Sequence, residues 1–167
     1  TQPGTRVDFS ELTIRGGAGV EQGAGLRIVD ATVTLDQVTL EANTATKEGG
    51  GIYNDGYLTV TRSLVSANAT SASVGLGGGG LYNLRTATIE TTTFVNNTSP
   101  GGILGSGGGA GILNADTGVL TLTNSTLSGN RAEQGDGGGI FNSGATTAVH
   151  VTASGNGTPN GLGGGVF

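Results

Sequence analysis

One pair of short motifs recurs along this chain at nearly constant spacing. In the first motif an apolar residue follows a run of small residues rich in glycine, at Leu26, Ile52, Leu81, Ile112, Ile140 and Val166. In the second, an apolar residue or alanine precedes an asparagine by three positions, and the asparagines are Asn43, Asn68, Asn97, Asn130 and Asn156. Successive copies of the first motif are 26, 29, 31, 28 and 26 residues apart. A unit of this length cannot enclose a core alone, so the copies must stack.

Within each repeat, apolar residues alternate with polar residues, which is typical of a half-buried strand. The residues eight and ten positions before the asparagine are predicted to point inward, and the phase then shifts, which indicates a bend. These inward positions are Val33, Leu35, Leu58, Val60, Ala87, Ile89, Leu120 and Leu122. The sequence therefore predicts an all-β fold, a single-stranded parallel β-helix (β-solenoid) of about six coils of roughly 28 residues. A β-propeller is the alternative, but its blades need about 40 residues or more.

The glycines and asparagines fit such a stack. Glycine makes up 35 of the 167 residues and allows tight bends and close approach between coils. Asparagines at one position per coil are expected to form amide ladders, one through Asn54, Asn83, Asn114 and Asn142 and another through Asn43, Asn68, Asn97, Asn130 and Asn156. Segments 44–48, 69–77, 98–106, 131–136 and 157–162 differ in length between repeats and are predicted to be surface loops.

The two motifs also carry a resemblance. The segments GGGIYN, followed by LTVTRSLVSAN, and GAGILN, followed by LTLTNSTLSGN, resemble the right-handed parallel β-helix repeats of bacterial surface and secreted proteins. The pairing of a glycine motif with Phe94 and Asn97 is similar to the repeats of polymorphic outer-membrane adhesins. The resemblance covers nearly the whole chain and implies a right-handed solenoid at a cell surface.

The amino-acid composition limits the partners and the location that the chain can have. A net charge of −5 with one lysine disfavours nucleic acid as a partner, and no apolar run approaches the 18 residues that membrane insertion needs. The chain has no cysteine and no methionine, and it therefore lacks the side chains most easily oxidised. We expect a location outside the cell or on its surface.

Catalysis is not expected, and neither is a cofactor or a metal. The carboxylates that a polysaccharide-cleaving β-helix would need are scattered, at Asp8, Asp30, Asp36, Asp55, Glu90, Asp116 and Asp136. His150 is the single histidine and is interpreted as a surface residue. The chain is therefore predicted not to be an enzyme.

Two surface features suggest binding. A threonine stands nine positions before each asparagine, and this column of Thr34, Thr59, Thr88, Thr121 and Thr147 should face outward. It resembles the ice-binding faces of antifreeze solenoids, although threonine is also simply favoured on strands. Asn-x-Ser/Thr triplets at Asn96 and Asn124 should be accessible and are candidate glycosylation sites. Surface glycans are a candidate partner of an adhesin-like module.

Residues 1–167 are expected to form one domain with both ends in mid-coil. The first segment carries inward-type residues at Val7, Phe9, Leu12 and Ile14, and the last stops at Val166 and Phe167. Joining Phe167 to Thr1 makes one coil of ordinary length, so these residues are predicted to form a head-to-tail interface. The leading hypothesis is a structural subunit of an extracellular filament, with the chain itself as partner. The alternatives are a monomeric or passenger-type adhesin module, an ice-binding protein and a polysaccharide-acting enzyme.

Overall fold

The computed structural model describes residues 4–71, 77–100 and 108–167, which form parallel strands wound into three sheets. The first sheet contains β1 (Arg6–Ser10), β4 (Leu26–Asp36), β7 (Ile52–Thr61), β10 (Leu81–Asn83), β11 (Thr86–Glu90), β14 (Ile112–Asn114), β15 (Val119–Thr123), β18 (Ile140–Asn142) and β19 (Ala145–Val149). The second contains β2 (Thr13–Arg15), β5 (Thr39–Glu41), β8 (Leu64–Ser66), β12 (Thr93–Val95), β16 (Thr126–Ser128) and β20 (Thr152–Ser154). The third contains β3 (Ala18–Gln22), β6 (Thr44–Glu48), β9 (Ala69–Thr70), β13 (Thr98–Ser99) and β17 (Arg131–Ala132).

The predicted parallel β-solenoid is confirmed. Every strand pair is parallel, and equivalent residues of successive coils are register partners, as in the series Leu35, Val60, Ile89 and Leu122. The described residues contain no helix. Five complete turns separate the first and last of the six strands of the second sheet, so the predicted count of about six coils is slightly too high.

Alternation within the strands builds the core. In β7 the exposure pattern along Leu58, Thr59, Val60 and Thr61 alternates between buried and half-buried. One hydrophobic core runs along the axis, and its buried side chains include all eight residues predicted to point inward. Burying each valine, leucine or isoleucine side chain of this core is worth about 1.5 to 3 kcal/mol.

The bend between the first and second sheets has one residue per coil in the left-handed region. The residues of this corner column are Glu11, Gln37, Arg62, Thr91, Asn124 and His150, with φ between 48° and 54°. A second corner, between the second and third sheets, contains Ala42, Ala67 and Asn96 with similar φ values. A residue in the left-handed region turns the backbone, so that the alternation of inward and outward side chains is displaced by one residue in the strand that follows. This displacement explains the change of phase in the sequence pattern.

The glycine motif has a steric cause. Gly49, the first of its triplet, has φ +62°, a conformation that side chains disfavour. A Cβ on Gly50 would lie 2.2 Å from the carbonyl oxygen of Ala69, so the third sheet approaches the glycine backbone too closely for any side chain.

The predicted surface loops are partly wrong. Segment 44–48 is β6, and the segments that begin at residues 69, 98 and 131 each open with a two-residue strand of the third sheet. Strands of two residues carry no alternation, so the sequence pattern could not reveal these three. Residues 72–76 and 101–106 of these segments lie outside the described residues.

Candidate functional surfaces

The first asparagine ladder lies at the bend between the second and third sheets. The side-chain Nδ2 of each asparagine donates to Oδ1 of the next, at 2.9 Å from Asn43 to Asn68 and 2.8 Å from Asn130 to Asn156. Each Nδ2 also donates to a backbone carbonyl of the preceding coil, such as Leu40 for Asn68. Asn97 is fully buried, and within the described residues no buried side-chain polar atom lacks a partner. The ladder therefore stabilises the coil stack from inside.

The second ladder lies where β10, β14 and β18 end. Nδ2 of Asn54 donates to Oδ1 of Asn83 at 2.7 Å, and Asn83 and Asn114 repeat the contact toward Asn142. Ile28 occupies the equivalent position in the coil before Asn54. Both ladders run along the solenoid axis, and their hydrogen bonds join one coil to the next.

A third ladder, of hydroxyl groups, was missed by the sequence analysis. Ser63, Thr92 and Ser125 are buried at one inward position of successive coils. Each hydroxyl donates to a carbonyl two residues earlier, and each accepts a backbone N–H from the preceding coil, as Ser63 does from Val38 at 3.0 Å. A small hydroxyl residue at an inward position of three repeats was the signal in the sequence.

An aromatic column stands outside the main core. The rings of Tyr53 and Tyr82 are stacked with centroids 5.5 Å apart, and Leu113 continues the buried cluster. At one end of the column, the Arg27 guanidinium lies 5.6 Å from the centre of the Tyr53 ring. At the other end, Phe141 stacks on Phe167, which remains 47% exposed.

Beside this column is a cavity of about 370 Å³, lined by Tyr82, Leu84, Ala115, Asp116 and Thr117. Burial, with the negative charges of Glu48 and Asp116 and with Tyr53 nearby, raises the pKa of Tyr82 to about 12. Burial also raises the pKa of Tyr53. The Tyr82 phenol is therefore neutral across the physiological range and acts as a packing residue.

The predicted threonine column is a continuous row on the outer face of the first sheet. Thr34, Thr59, Thr88, Thr121 and Thr147 are successive register partners, and Asp8 precedes them. The next outward column is interrupted by Glu90 and by Asp36, whose carboxylate accepts a hydrogen bond from Thr61 at 2.8 Å. This bond and the Arg62 guanidinium hold the pKa of Asp36 below its usual value. The interruption breaks the regular hydroxyl array that an ice lattice would require.

The second sheet has its own outward threonines, which the sequence analysis did not identify. Thr13, Thr39, Thr93, Thr126 and Thr152 share a column, with Leu64 between the second and third. Because threonine lines both faces, its ordinary preference for strands accounts for the pattern.

The candidate glycosylation sites Asn96 and Asn124 are exposed at the two corners, with φ of 54° and 49°. Asparagine tolerates the left-handed conformation better than most residues, which gives both positions a structural reason for this residue. Asn68 and Asn97, which also begin Asn-x-Ser/Thr triplets, are fully buried in the first ladder.

Several of the charged residues form ion pairs at the surface. Arg85 bridges Asp30 and Asp55 at 3.1 and 3.3 Å, and Asp136 accepts the backbone N–H of Leu162. Within the described residues, no group of three or more histidine, aspartate or glutamate side chains could hold a metal ion. The described part of the chain also contains no helix that could span a bilayer.

The residues predicted to form a polymer interface lie on two opposite faces. Val7, Phe9, Leu12 and Ile14 are partly buried, and among the described residues they pack against one neighbouring coil. At the opposite end of the stack, Val166 is 57% exposed and forms a bridge with Ile140, next to Phe167. Thr1 lies outside the described residues.

The comparison with protein families gives one match. The model of a family described as "Right handed beta helix region" matches residues 2–157. Searches of curated proteins and of solved structures found no match.

Proposed function

We propose that this chain, which belongs to the right-handed β-helix family, is a structural subunit of an extracellular or cell-surface filament in which copies stack head to tail. The observation that carries the proposal is the complementarity of two end faces. The lower face consists of β1, β2 and β3 with residues 25–28, and the upper face consists of β19, β20 and residues 163–167.

Each end face has a row of unpaired strand edges. Within the described residues, strands β1 and β2 pair on one side only, with β4 and β5, and strands β19 and β20 pair only with β15 and β16. An open parallel edge is a template for another strand, and it binds through backbone hydrogen bonds. Extending the register of the solenoid would set β1 of one copy on β19 of the next, and β2 on β20.

The inward side chains of the two faces differ in size in a way that suits stacking. On the upper face, the positions that hold leucine in β15 and β16 hold Thr146, Ala148 and Ala153. All three are exposed. In the continued register, Val7, Phe9 and Ile14 of the next copy would lie directly on them. Large residues would thus fill the space that small residues leave, as close packing requires.

The aromatic column supports the same register. Phe167 is the last ring of the column, and Arg27 is its first member. In a continued stack, the Arg27 guanidinium of the next copy would lie on the exposed face of Phe167, as it already lies on Tyr53. Such a contact is worth about 0.5 to 2 kcal/mol. The interface joins two different surfaces and does not close, so growth would be open-ended.

Substitutions at the joint test the proposal by electron microscopy and sedimentation of the purified chain. Phe9→Asp places a charge in the joint and should abolish filaments, whereas Thr13→Asp, on the outward side of β2, should leave them intact. Arg27→Glu provides a second variant, because Arg27 is exposed and its loss should leave the coils folded. Filaments that form equally well with Phe9→Asp and Arg27→Glu would overturn the proposed joint.

A second candidate function, an adhesin module that binds glycans, is favoured by Tyr57. This ring is 55% exposed on the outer face of the first sheet, between Thr32 and Thr86 in register. A planar ring flanked by hydroxyl groups suits the apolar face and the hydroxyls of a sugar. Glycan-array binding that Tyr57→Ala removes and Val119→Ala retains would support this function, and equal binding by both variants would exclude Tyr57 as the site.

A further inference from the structure

Two titratable residues stand at opposite ends of the first corner column. Glu11 is its first member, on the lower face, and His150 is its last, on the upper face, with φ of 54° and 53°. In each coil, the backbone N–H of the corner residue donates to the carbonyl of the residue that precedes the corner in the next coil. The first of these bonds runs from Glu11 to Asp36 and the last from Asn124 to Val149. In a head-to-tail stack, His150 of one copy would therefore be followed by Glu11 of the next, roughly 4.8 Å away between backbones.

The charged groups around Glu11 already have partners. Within the described residues, ion pairs join Arg6 to Asp8, Arg15 to Glu41, and Arg62 to Asp36. Arg6, Asp8 and Arg15 are the charged side chains on the two strands that flank Glu11. Arg62 occupies the corner position two coils further on. Glu11 itself makes no ion pair with any described residue, and it is exposed. Its carboxylate is thus available to a partner on the lower face.

His150 lies in uncharged surroundings. The strands that flank it, β15, β16, β19 and β20, carry no charged side chain, and its neighbour in the corner column is Asn124. The side chain is exposed and has no ion pair within the described part of the chain. Residues 137–167 contain no aspartate, glutamate, lysine or arginine.

We propose that His150 of one copy and Glu11 of the next form a pair across the joint, in which an imidazole N–H donates a hydrogen bond to the carboxylate. This inference rests on the proposed filament and adds a specific side-chain contact to its joint. The two positions follow each other in the corner column, and both side chains are exposed.

The test measures the critical concentration for assembly at low salt, where a contact between polar side chains is screened least. An exposed pair should lower this concentration by about two- to fivefold. His150→Gln and Glu11→Gln should each raise it by that factor, and the double variant should raise it no further than either single variant.

Charge reversal gives the sharper result. His150→Glu places two carboxylates opposite each other and should raise the critical concentration, and His150→Glu combined with Glu11→Arg should restore assembly. Thr91→Glu, at the same corner in the middle of the stack, is the matched control and should change nothing. Filaments with the same critical concentration in all these variants would overturn the pair and leave the filament standing. Absence of assembly by the unsubstituted protein would instead overturn the filament itself, and the pair with it.

Discussion

At the scale of single residues, the buried polar side chains hold the coils in register. Asn97 shows how completely each amide is used. Its Nδ2 donates to Val65 and Asn130, and its Oδ1 accepts from the backbone and side chain of Asn68. Because every partner is itself buried, removing one amide leaves several groups unpaired at once.

Asn97→Ala should therefore lower the free energy of unfolding by about 3 kcal/mol. Asn96→Gly is the matched control, since residue 96 is exposed, has a positive φ that glycine accepts, and lies next to the ladder. Its effect should stay within about 0.5 kcal/mol. Denaturant unfolding of the two variants measures the difference, and equal losses would mean that the ladder adds nothing to stability.

The Tyr82 phenol gives a prediction for alkaline pH. Burial raises its pKa to about 12, from 10 in the unfolded chain, so the folded state holds this proton more tightly. The resulting stabilisation is complete below about pH 10 and is lost as the pH rises toward 12. Ultraviolet titration of the native protein should show a late phenolate component near pH 12 that Tyr82→Phe lacks. A titration curve unchanged in shape by Tyr82→Phe would contradict the assigned burial.

At the scale of elements, the sequence predicted what alternation can encode. The inward columns of β4, β7, β11 and β15 were identified correctly because each strand is long enough to show a period of two. The third sheet was not predicted, because strands such as β9 and β13 have two residues and pair through their backbone. The hydroxyl ladder was also missed, since its partners are defined only once the coils are stacked.

Strand β7 offers a direct test of the two faces. Val60 is fully buried and Thr59, its neighbour, points outward. Val60→Asp buries a charge without a partner and should cost more than about 4 kcal/mol, whereas Thr59→Asp should cost less than about 1 kcal/mol. Thermal unfolding reports both, and similar losses of melting temperature would show that the inward and outward faces were assigned wrongly.

At the scale of the whole molecule, charge is distributed unevenly along the solenoid. Thirteen of the nineteen charged side chains lie within residues 1–62, and none follows Asp136. The upper coils therefore lack the charges that commonly keep sheet edges apart. The lack of aspartate, glutamate, lysine and arginine in residues 137–167 favours the proposed stacking on a second copy.

The axial repeat of assembled filaments tests this account most directly. Each copy contributes six layers to the second sheet, so head-to-tail stacking at about 4.8 Å per layer predicts a rise of about 29 Å per subunit. Helical reconstruction from electron micrographs should show this rise, with the layer spacing continuing unbroken through every joint. A protein that stays monomeric at high concentration, or filaments with a different rise, would contradict the account.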